Sequence, residues 1–290
     1  MKLLVFGKNG QVAQALKAAC EKNGYEATFI GRTDSDITNI VDINKLIDEQ
    51  TPDGVINASA YTLVDKAETE ILEAYKLNAI APAIIAGACA RVNVPYIHIS
   101  TDYVFDGKKV GEYNEADLIC PISVYGRSKA VGESEVLAQN KNAMIMRTSW
   151  VYHESGNNFL KTMLRLATQH ETLKVVGDQY GSPTYAGDIA DALLAMIQKS
   201  TETTDYAGIY HFSGSGTTNW HEFAIAIFEM SKEAGHKSPI NVLNIPSSEY
   251  PTPVTRPKNS KLSHEKFTQV FGITPPHWKD SMAKCLDKLL

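Results

Sequence analysis

Short apolar runs alternate with amphipathic stretches along the first half of the chain. The apolar runs predict five buried strands, at residues 2–6, 25–30, 54–57, 94–99 and 144–146. Helical periodicity fills the gaps between them, as at residues 11–21, 43–49, 70–92 and 125–139. Strands that alternate with helices are typical of α/β proteins with a parallel sheet. The pattern therefore predicts a doubly wound, Rossmann-type parallel sheet.

The pattern becomes less regular after residue 150. Its predicted elements are helices at 159–168, 187–199 and 220–234 and strands at 173–176 and 208–213. Four prolines between residues 246 and 258 predict a long ordered loop. We expect strand 208–213 to rejoin the sheet, so that residues 1–150 and 185–213 form the Rossmann-type domain. Residues 151–184 and 214–290 would then form a smaller α/β lobe that binds the substrate.

Composition places the chain among ordinary globular proteins. Of its 290 residues, 43% are hydrophobic and 21% are charged, which argues against disorder. The net charge is −5 and the basic residues are dispersed, so no nucleic-acid-binding surface is expected. The cysteines form no CxxC pair and are predicted to be buried small hydrophobes in a reducing compartment; they are Cys20, Cys89, Cys120 and Cys285.

No targeting or membrane segment is apparent. The apolar run before Gly7 is too short for a signal peptide. The longest apolar stretch, at residues 79–90, falls short of the roughly 20 residues needed to cross a bilayer. The eight histidines show no metal-ligand spacing, so no metal site is expected. We predict a cytoplasmic protein that does not associate with membranes.

A glycine-rich turn follows the first predicted strand and opens the first predicted helix. It begins at Gly7 and continues as Lys8-Asn9-Gly10-Gln11-Val12-Ala13, with GxxGxxA spacing. Free backbone N–H groups at such a helix start bind pyrophosphate, so the turn is a dinucleotide-binding candidate. The alternative is a turn without a ligand.

The end of the second strand indicates which dinucleotide is used. An acidic residue there suits the ribose hydroxyl of NAD, whereas an arginine suits the 2′-phosphate of NADP. This chain has Arg32 at that position, and Lys8 in the glycine turn adds a second cation. NADP(H) is therefore the predicted cofactor, with NAD(H) as a further possibility. The alternative is a solvated arginine at a strand end.

The most active-site-like stretch lies between Ser100 and Lys129. It begins with Ser100 and Thr101 at the end of the fourth strand and ends with Tyr125 and Lys129 on a predicted helix. Residues four apart lie on one helix face. A Tyr-x-x-x-Lys spacing also occurs by chance in a chain of this composition, so its weight comes from its position after that strand and after the glycine turn.

This combination resembles the extended short-chain dehydrogenase/reductase family. Further motifs tighten the resemblance to the dTDP-4-dehydrorhamnose reductase family within it: VDKAE at 64–68, STDYVFDG at 100–107, RTSWVY at 147–152, DQYGSPT at 178–184 and YPTP at 250–253. The resemblance covers residues 1 to about 285. It implies NADPH-dependent reduction of the C4 keto group of dTDP-4-dehydro-L-rhamnose to dTDP-L-rhamnose, a step in polysaccharide biosynthesis.

The resemblance also implies a role for each member of the catalytic set. Tyr125 would donate its phenolic proton to the C4 oxygen, and Thr101 would hydrogen-bond the same oxygen or the phenol. Because a free phenol has a pKa near 10, it needs a nearby cation to act at neutral pH. Lys129 would supply that charge and would also hold the nicotinamide ribose.

Other positions match the family's binding residues. Those implied for the cofactor are Gly7, Gly10, Gln11, Val12, Asp36, Ile37, Ala60, Tyr61 and Thr62. Those implied for the substrate are Asp102, Trp150, Gln179, Thr184 and Arg256, in addition to Thr101. An arginine suits phosphate recognition, and Arg256 has no acidic neighbour in sequence. Trp150 has an alternative interpretation as a core residue between the two lobes.

Two positions depart from the family. Some members dimerise through magnesium held by glutamates, and this chain has Ala15 and Gly187 there. We therefore expect a monomer or a weak homodimer without a bridging metal. Two other functions stay open at this point. One is a non-catalytic NADP-binding regulatory subunit resembling the beta subunit of methionine adenosyltransferase, and the other is a reductase of a different dTDP-4-keto-6-deoxy sugar.

Overall fold

The fold is known from a computed structural model, which describes residues 1–203, 205–239 and 241–290. Its elements follow in this order: β1 (Lys2–Phe6), α1 (Gln11–Asn23), β2 (Glu26–Ile30), α2 (Ile40–Gln50), β3 (Gly54–Asn57), α3 (Val64–Ala67), α4 (Ile71–Tyr75), a π-helical turn (Lys76–Ile80), α5 (Ala81–Arg91), β4 (Tyr96–Thr101), a 3-10 turn (Asp102–Val104), α6 (Val124–Gln139), β5 (Met144–Thr148), β6 (Val151–Tyr152), α7 (Phe159–Ala167), β7 (Thr172–Val176), β8 (Tyr180–Gly181), β9 (Thr184–Tyr185), α8 (Ala186–Ser200), β10 (Gly208–His211), β11 (Thr218–Asn219), α9 (Trp220–Glu233), β12 (Asn241–Ile245), a 3-10 turn (Ser247–Glu249), α10 (Glu265–Phe271) and α11 (Trp278–Leu289).

A six-stranded parallel sheet forms the centre of the molecule. Its strand order is β10-β5-β4-β3-β1-β2, and each neighbouring pair is parallel. The order reverses direction at β1, which pairs with β2 on one side and β3 on the other. Open α/β sheets bind ligands at such a reversal, beyond the carboxyl ends of the strands. The predicted doubly wound parallel sheet is confirmed, and strand β10 joins its edge.

Helices cover both faces of this sheet because its strands are apolar on both sides. Successive side chains of a strand point to opposite faces. On β1, Leu3 and Val5 therefore pack in the core beneath α1 and α8. Leu4 and Phe6 pack in the opposite core with residues of α2 and α5. This explains why β1 appears in the sequence as an unbroken apolar run instead of an alternating one.

Most predicted elements are present, with ends that differ by a few residues. The largest shift concerns α2, which begins at Ile40 and not at residue 43. The side chain of Asn39 accepts hydrogen bonds from the backbone of Val41 and Asp42, and this cap sets the earlier start. Residues 246–258 form the predicted loop, with one 3-10 turn at Ser247–Glu249.

The second half of the chain builds a separate apolar core. Helices α7, α9 and α11 pack together around Leu160, Phe223, Ile227 and Met282. Short pairs of strands, β7 with β12 and β6 with β9, border this core. The assignment of residues 151–184 and 214–290 to one functional lobe stays a prediction.

One helix and one cysteine differ from the sequence-based expectations. The helix from Ile71 to Arg91 runs through the π-helical turn for 21 residues, long and apolar enough by length and composition to cross a membrane. It covers the sheet, however, and buries Ile85 and Ala86 completely beside α2 and α6. The cysteine prediction was wrong for Cys120, which is exposed. Its backbone N–H donates to the oxygen of Val104 in an irregular loop.

Candidate active site

The predicted catalytic stretch lies at the carboxyl end of the central strand β4. Thr101 is the last residue of β4, and α6 begins beside it at Val124. The hydroxyl of Ser123 caps α6 by accepting a hydrogen bond from the backbone N–H of Gly126 at 3.1 Å. A Cβ atom at position 126 would collide with the backbone oxygen of Tyr103. Glycine is therefore required for α6 to approach the turn after β4.

Tyr125 lies in the first turn of α6, next to Thr101. The ring of Tyr103 contacts it edge-on, with centroids 5.4 Å apart. Burial raises the pKa of Tyr125, a hydrogen bond with the Thr101 side chain lowers it, and the charge of Asp102 raises it further. The net pKa is above the ordinary value of 10, so the phenol carries its proton at neutral pH. The phenol therefore has a proton to give, but in the cofactor-free protein it is a weaker acid than a free phenol, and the lowering of its pKa expected from Lys129 is not seen.

Lys129, one turn further along α6, is buried with only 2% of its surface exposed. Its Nζ donates to the backbone oxygen of Ile99 at 2.6 Å and lies 3.2 Å from Nε2 of His98. Burial lowers the pKa of Lys129 to about 8, and the charge of Glu133 opposes this. No role for His98 was predicted from the sequence, where the histidines were considered only as metal ligands.

Asp102 follows Thr101 and is also buried. Its Oδ1 accepts a hydrogen bond from the Thr101 hydroxyl at 3.1 Å, whereas its Oδ2 has no partner in the described part of the chain. Burial raises the pKa of Asp102 to about 6, against the opposing effect of hydrogen bonds from Ser260 and Thr101. An unpaired buried carboxylate oxygen is costly, and it marks this spot as one where a polar group of a ligand would be favourable.

The replacement Asp102→Asn tests this carboxyl through pH-dependent stability. A folded-state pKa above the unfolded value of about 3.9 means that the stabilisation is present below pH 4 and is lost as pH rises through 6. The variant has no such loss. We therefore compare the two free energies of unfolding, measured by urea denaturation. The difference, variant minus unsubstituted protein, is expected to increase by about 1–3 kcal/mol between pH 4 and pH 7. A difference that does not change with pH would contradict the assignment.

The glycine turn fits a dinucleotide phosphate. Gly7 has φ +111°, and a Cβ atom there would lie 3.0 Å from the backbone of Ala58. A Cβ atom at Gly10 would enter open space, and among the described residues no side chain caps the start of α1. The first turn of α1 has no acidic residue to repel an anion. Free N–H groups at this helix start, beside the reversal between β1 and β3, are the features that pyrophosphate needs.

The two predicted cations near the adenosine end differ in their contacts. Lys8 forms an exposed ion pair with Asp34, at 3.1 Å. Arg32, just after β2, is exposed and has no ion-pair partner among the described residues. Asp36 accepts hydrogen bonds from the backbone and hydroxyl of Thr38, close to Ile37. Arg32, Asp36 and Ile37 lie along the loop from β2 to α2, and Lys8 contacts that loop from the glycine turn after β1.

The loop after β3 contains Ala60, Tyr61 and Thr62, as expected for this edge of the sheet. The side chain of Asn78 fixes this loop through hydrogen bonds to the backbone of Tyr61. Asn78 is fully buried in the π-helical turn and was not singled out in the sequence. Its side chain accepts from the Tyr61 N–H at 2.8 Å and donates to the Tyr61 oxygen at 3.1 Å. It also donates to the Ser128 hydroxyl at 3.0 Å, which ties the β3 loop to α6.

Trp150 has a backbone conformation that few residues adopt. Its φ is +49°, a left-handed conformation that is strained for a bulky residue. Its indole stacks on Trp220 with centroids 3.6 Å apart, and a Cβ atom on Gly181 would lie only 2.7 Å from its ring. Sequence analysis missed Trp220. Strain of this kind concentrates at functional sites, so the geometry favours a ligand-facing role over ordinary core packing.

Two further predicted substrate residues, Gln179 and Thr184, are both buried and hydrogen-bonded within the protein. The side chain of Gln179 donates to the Ser247 hydroxyl at 3.1 Å. Thr184 is buried, and its hydroxyl donates to the Ser182 oxygen and accepts from the Gly214 N–H. Because both hydrogen bonds of this hydroxyl stay within the protein, Thr184 holds the fold together at this point and has little left for a ligand.

Arg256 has no acidic neighbour in sequence, but the fold brings one to it. Its Nη2 lies 3.2 Å from Oδ2 of Asp65, a residue 191 positions away in sequence. The pair is about one-third exposed, so its net contribution to stability is small. Arg256 also hydrogen-bonds the Tyr103 hydroxyl, which places it near the catalytic cluster.

In the described part of the chain, no group of three or more His, Cys, Asp or Glu side chains is arranged to hold a metal ion.

Comparison with known proteins agrees with this geometry. A family model described as the RmlD substrate binding domain matches residues 1–290. The dTDP-4-dehydrorhamnose reductase of Aggregatibacter actinomycetemcomitans is 44% identical over 285 residues, 97% of each chain. That of Escherichia coli K12 is 41% identical over 293 residues, covering 100% of this chain and 98% of the relative.

Solved structures give the same result. The crystal structure of a dTDP-4-dehydrorhamnose reductase from Clostridium acetobutylicum has a TM-score of 0.93 and 37% identity, covering 100% of this chain and 99% of that one. The structure of a dTDP-4-dehydrorhamnose reductase from Bacillus anthracis in complex with NADP has a TM-score of 0.90 and 36% identity, covering 99% of each chain. The chain therefore belongs to the dTDP-4-dehydrorhamnose reductase family.

Proposed function

We propose that this protein uses NADPH to reduce the C4 keto group of dTDP-4-dehydro-L-rhamnose, giving dTDP-L-rhamnose for polysaccharide biosynthesis. The observation that carries this proposal is the grouping of Thr101, Tyr125 and Lys129 at the end of β4. The glycine turn lies at the same edge of the sheet, two strands away on β1. Relatives named for this reaction match the whole chain.

The catalytic residues divide the work of protonating the carbonyl oxygen. Tyr125 donates the proton, and the burial that raises its pKa keeps it protonated until the oxygen becomes basic. Thr101 hydrogen-bonds the phenol, and on substrate binding its one hydroxyl proton would turn from Asp102 to the reacting oxygen and orient it. Lys129 stabilises the phenolate that remains after proton transfer. NADPH, when bound at the glycine turn, supplies the hydride.

The substrate side of the site is built by the second half of the chain. Trp150, fixed by its stack on Trp220, provides a flat apolar surface for one face of the sugar ring. Arg256 and Gln179 are the candidates for the diphosphate. Arg256 would exchange its partly exposed contact with Asp65 for a phosphate oxygen, which accepts a guanidinium more strongly. Residues 151–184 and 214–290 would thus form the nucleotide-sugar lobe, and residues 1–150 with 185–213 the NADP-binding domain.

The cofactor preference rests on Arg32 and Lys8. Because Arg32 is exposed just after β2, its charge is available to the 2′-phosphate of NADP(H). The replacement Arg32→Asp is expected to lower kcat/KM with NADPH by at least about tenfold and to leave NADH equal or better, since a carboxylate repels the phosphate and accepts from a ribose hydroxyl. Steady-state kinetics with both cofactors measures this. An unchanged NADPH/NADH ratio would refute the assignment.

One assay separates this function from its two alternatives. The enzyme is supplied with NADPH and the keto sugar made from dTDP-glucose by a 4,6-dehydratase and a 3,5-epimerase, and absorbance at the nicotinamide band is followed. The matched control omits the epimerase. We expect oxidation of NADPH only with the epimerised sugar. Turnover of the unepimerised sugar alone would indicate a reductase of another dTDP sugar, and no turnover with either would favour the regulatory-subunit alternative.

The assembly and location follow as further parts of the proposal. Ala15 and Gly187 offer no carboxylate, which supports a monomer or weak homodimer without bridging metal. Light scattering with and without a chelator tests this, and a chelator-sensitive dimer would contradict it. The net charge of −5 supports an enzyme that does not bind nucleic acid, and we propose that it works in the cytoplasm away from membranes.

A further inference from the structure

A chain of hydrogen bonds connects the β3 loop to the amine of Lys129. Asn57 and His98 are directly paired across β3 and β4, and both side chains are fully buried. Nδ2 of Asn57 lies 3.2 Å from Nδ1 of His98, and Nε2 of His98 lies 3.2 Å from Nζ of Lys129. The imidazole therefore stands between an amide and the buried lysine.

The direction of the hydrogen bonds is set at Ser59. Its backbone N–H donates to Oδ1 of Asn57 at 3.0 Å, and its hydroxyl donates to the same oxygen at 2.6 Å. A backbone N–H can only donate, so Oδ1 must face Ser59 and the amide nitrogen must face His98. Nδ1 of His98 must then accept. A neutral imidazole with an accepting Nδ1 carries its proton on Nε2.

This tautomer has a consequence for the lysine. An ammonium group has three N–H donors and no acceptor. In a protonated Lys129, one of these hydrogens would therefore point at the Nε2–H of His98, and the two donors would repel each other. A neutral amine would accept from Nε2–H and still donate to the oxygen of Ile99, which lies 2.6 Å away. The arrangement therefore matches the amine better than the ammonium.

The charged groups around this pair are few. Burial holds the pKa of His98 well below its ordinary value, and a charged Lys129 lowers that pKa further, so the imidazole is neutral whichever state Lys129 is in. Glu133, one turn along α6, is the carboxylate that favours a charged Lys129. Its two oxygens bind Arg147 of β5 at 2.8 and 2.6 Å, which offsets most of its charge. Tyr125, one turn back on α6, is protonated in the same state.

We propose that His98, held in its Nε2–H tautomer by Asn57, is a positioning residue that makes Lys129 of the cofactor-free enzyme release its proton more readily than an ordinary lysine, while the ammonium stays available at neutral pH. Its consequence for turnover rests on the proposed function: Lys129 would change its charge within the working pH range. The state of Lys129 itself does not depend on that function, since it is a property of the protein alone.

The direct test is NMR of the cofactor-free protein without substrate. Long-range ¹H–¹⁵N correlations on ¹⁵N-histidine report the tautomer of His98, assigned by the loss of its signals in His98→Gln. Titration of the ¹³Cε shift of labelled lysine, assigned with Lys129→Met, reports the protonation of Lys129. We expect the Nε2–H tautomer between pH 6 and pH 8, and a midpoint for Lys129 at least about one pH unit below that of surface lysines.

The replacement Asn57→Asp is expected to reverse the effect of His98 on the Lys129 midpoint. A carboxylate has no donor, so it accepts from Nδ1–H, reverses the tautomer and lets Nε2 accept from the ammonium. We expect the midpoint of Lys129 to rise by about one pH unit or more. The double variant Asn57→Asp with His98→Leu keeps the added charge without the imidazole and should show a clearly smaller rise. His153→Gln, which changes a buried histidine of the other core, should leave the midpoint unchanged.

Three results would overturn the proposal. They are the Nδ1–H tautomer in the unsubstituted protein, an equal rise in the single and double variants, and a Lys129 midpoint that does not move in His98→Leu. The first needs no variant, so misfolding of a variant would not leave the proposal untested. None of the three involves NADPH oxidation, so their outcome is independent of the reductase assay.

Discussion

Tyr125→Phe is expected to lower kcat for reduction of the keto sugar by about 10²–10⁴-fold and to leave NADPH binding within about twofold. The phenylalanine keeps the edge contact with Tyr103 and the packing of α6, but it has no proton to give. Without a positioned acid, the oxygen at C4 would develop its negative charge with only Thr101 to stabilise it. The loss should therefore fall on kcat more than on KM.

Stopped-flow absorbance measures the turnover, and quenching of protein fluorescence by NADPH measures the binding. Tyr103→Phe is the matched control, since Tyr103 contacts the Tyr125 ring yet is not the proton donor. We expect that control to retain at least about a tenth of the activity. Near-normal turnover in Tyr125→Phe would refute the role given to the phenol, whatever Tyr103→Phe shows.

Glu133→Ala is expected to lower the free energy of unfolding by about 3–5 kcal/mol. Glu133 and Arg147 are both buried, and Arg147 is only 2% exposed. The guanidinium is held by both carboxylate oxygens, with His211 3.3 Å from Nη1. Removing the carboxylate leaves a charged guanidinium in the core with no water to solvate it, which is the costly way to break such a pair.

Urea denaturation followed by circular dichroism measures this loss. Glu49→Ala is the matched control, because Glu49 pairs with Lys45 at 3.8 Å on an exposed helix face. That change should cost less than about 1 kcal/mol. The double variant Glu133→Leu with Arg147→Met should recover most of the stability, since it removes both charges. A loss below about 1 kcal/mol in Glu133→Ala would show that Arg147 finds another partner.

The parts of the fold that follow from local pattern could be predicted from the sequence. The apolar run of β1 is buried on both faces, and the glycine turn after it places Gly7 in the left-handed region. Both features depend on residues that are neighbours in sequence. The boundary error at α2 has a local cause as well, because Asn39 could have been recognised as a cap.

The parts that sequence analysis missed depend on long-range contacts. His98 reaches Lys129 across 31 positions, and Arg256 meets Asp65 across 191. The stack of Trp150 on Trp220 likewise joins residues 70 positions apart in sequence. No spacing rule connects such residues, since only the folded sheet brings them together. The π-helical turn that carries Asn78 has no residue pattern that marks it in a single sequence.

In the proposed reaction, the site at the end of β4 directs hydride from NADPH to C4 of dTDP-4-dehydro-L-rhamnose. Incubation with NADPH in which both hydrogens at nicotinamide C4 are deuterium, followed by proton NMR of the sugar product, tests this transfer. We predict dTDP-L-rhamnose that carries deuterium at C4 and no deuterium elsewhere, with Tyr125→Phe giving almost none in the same time. Consumption of NADPH with deuterium absent from C4, or product formation that does not depend on Tyr125, would contradict the account.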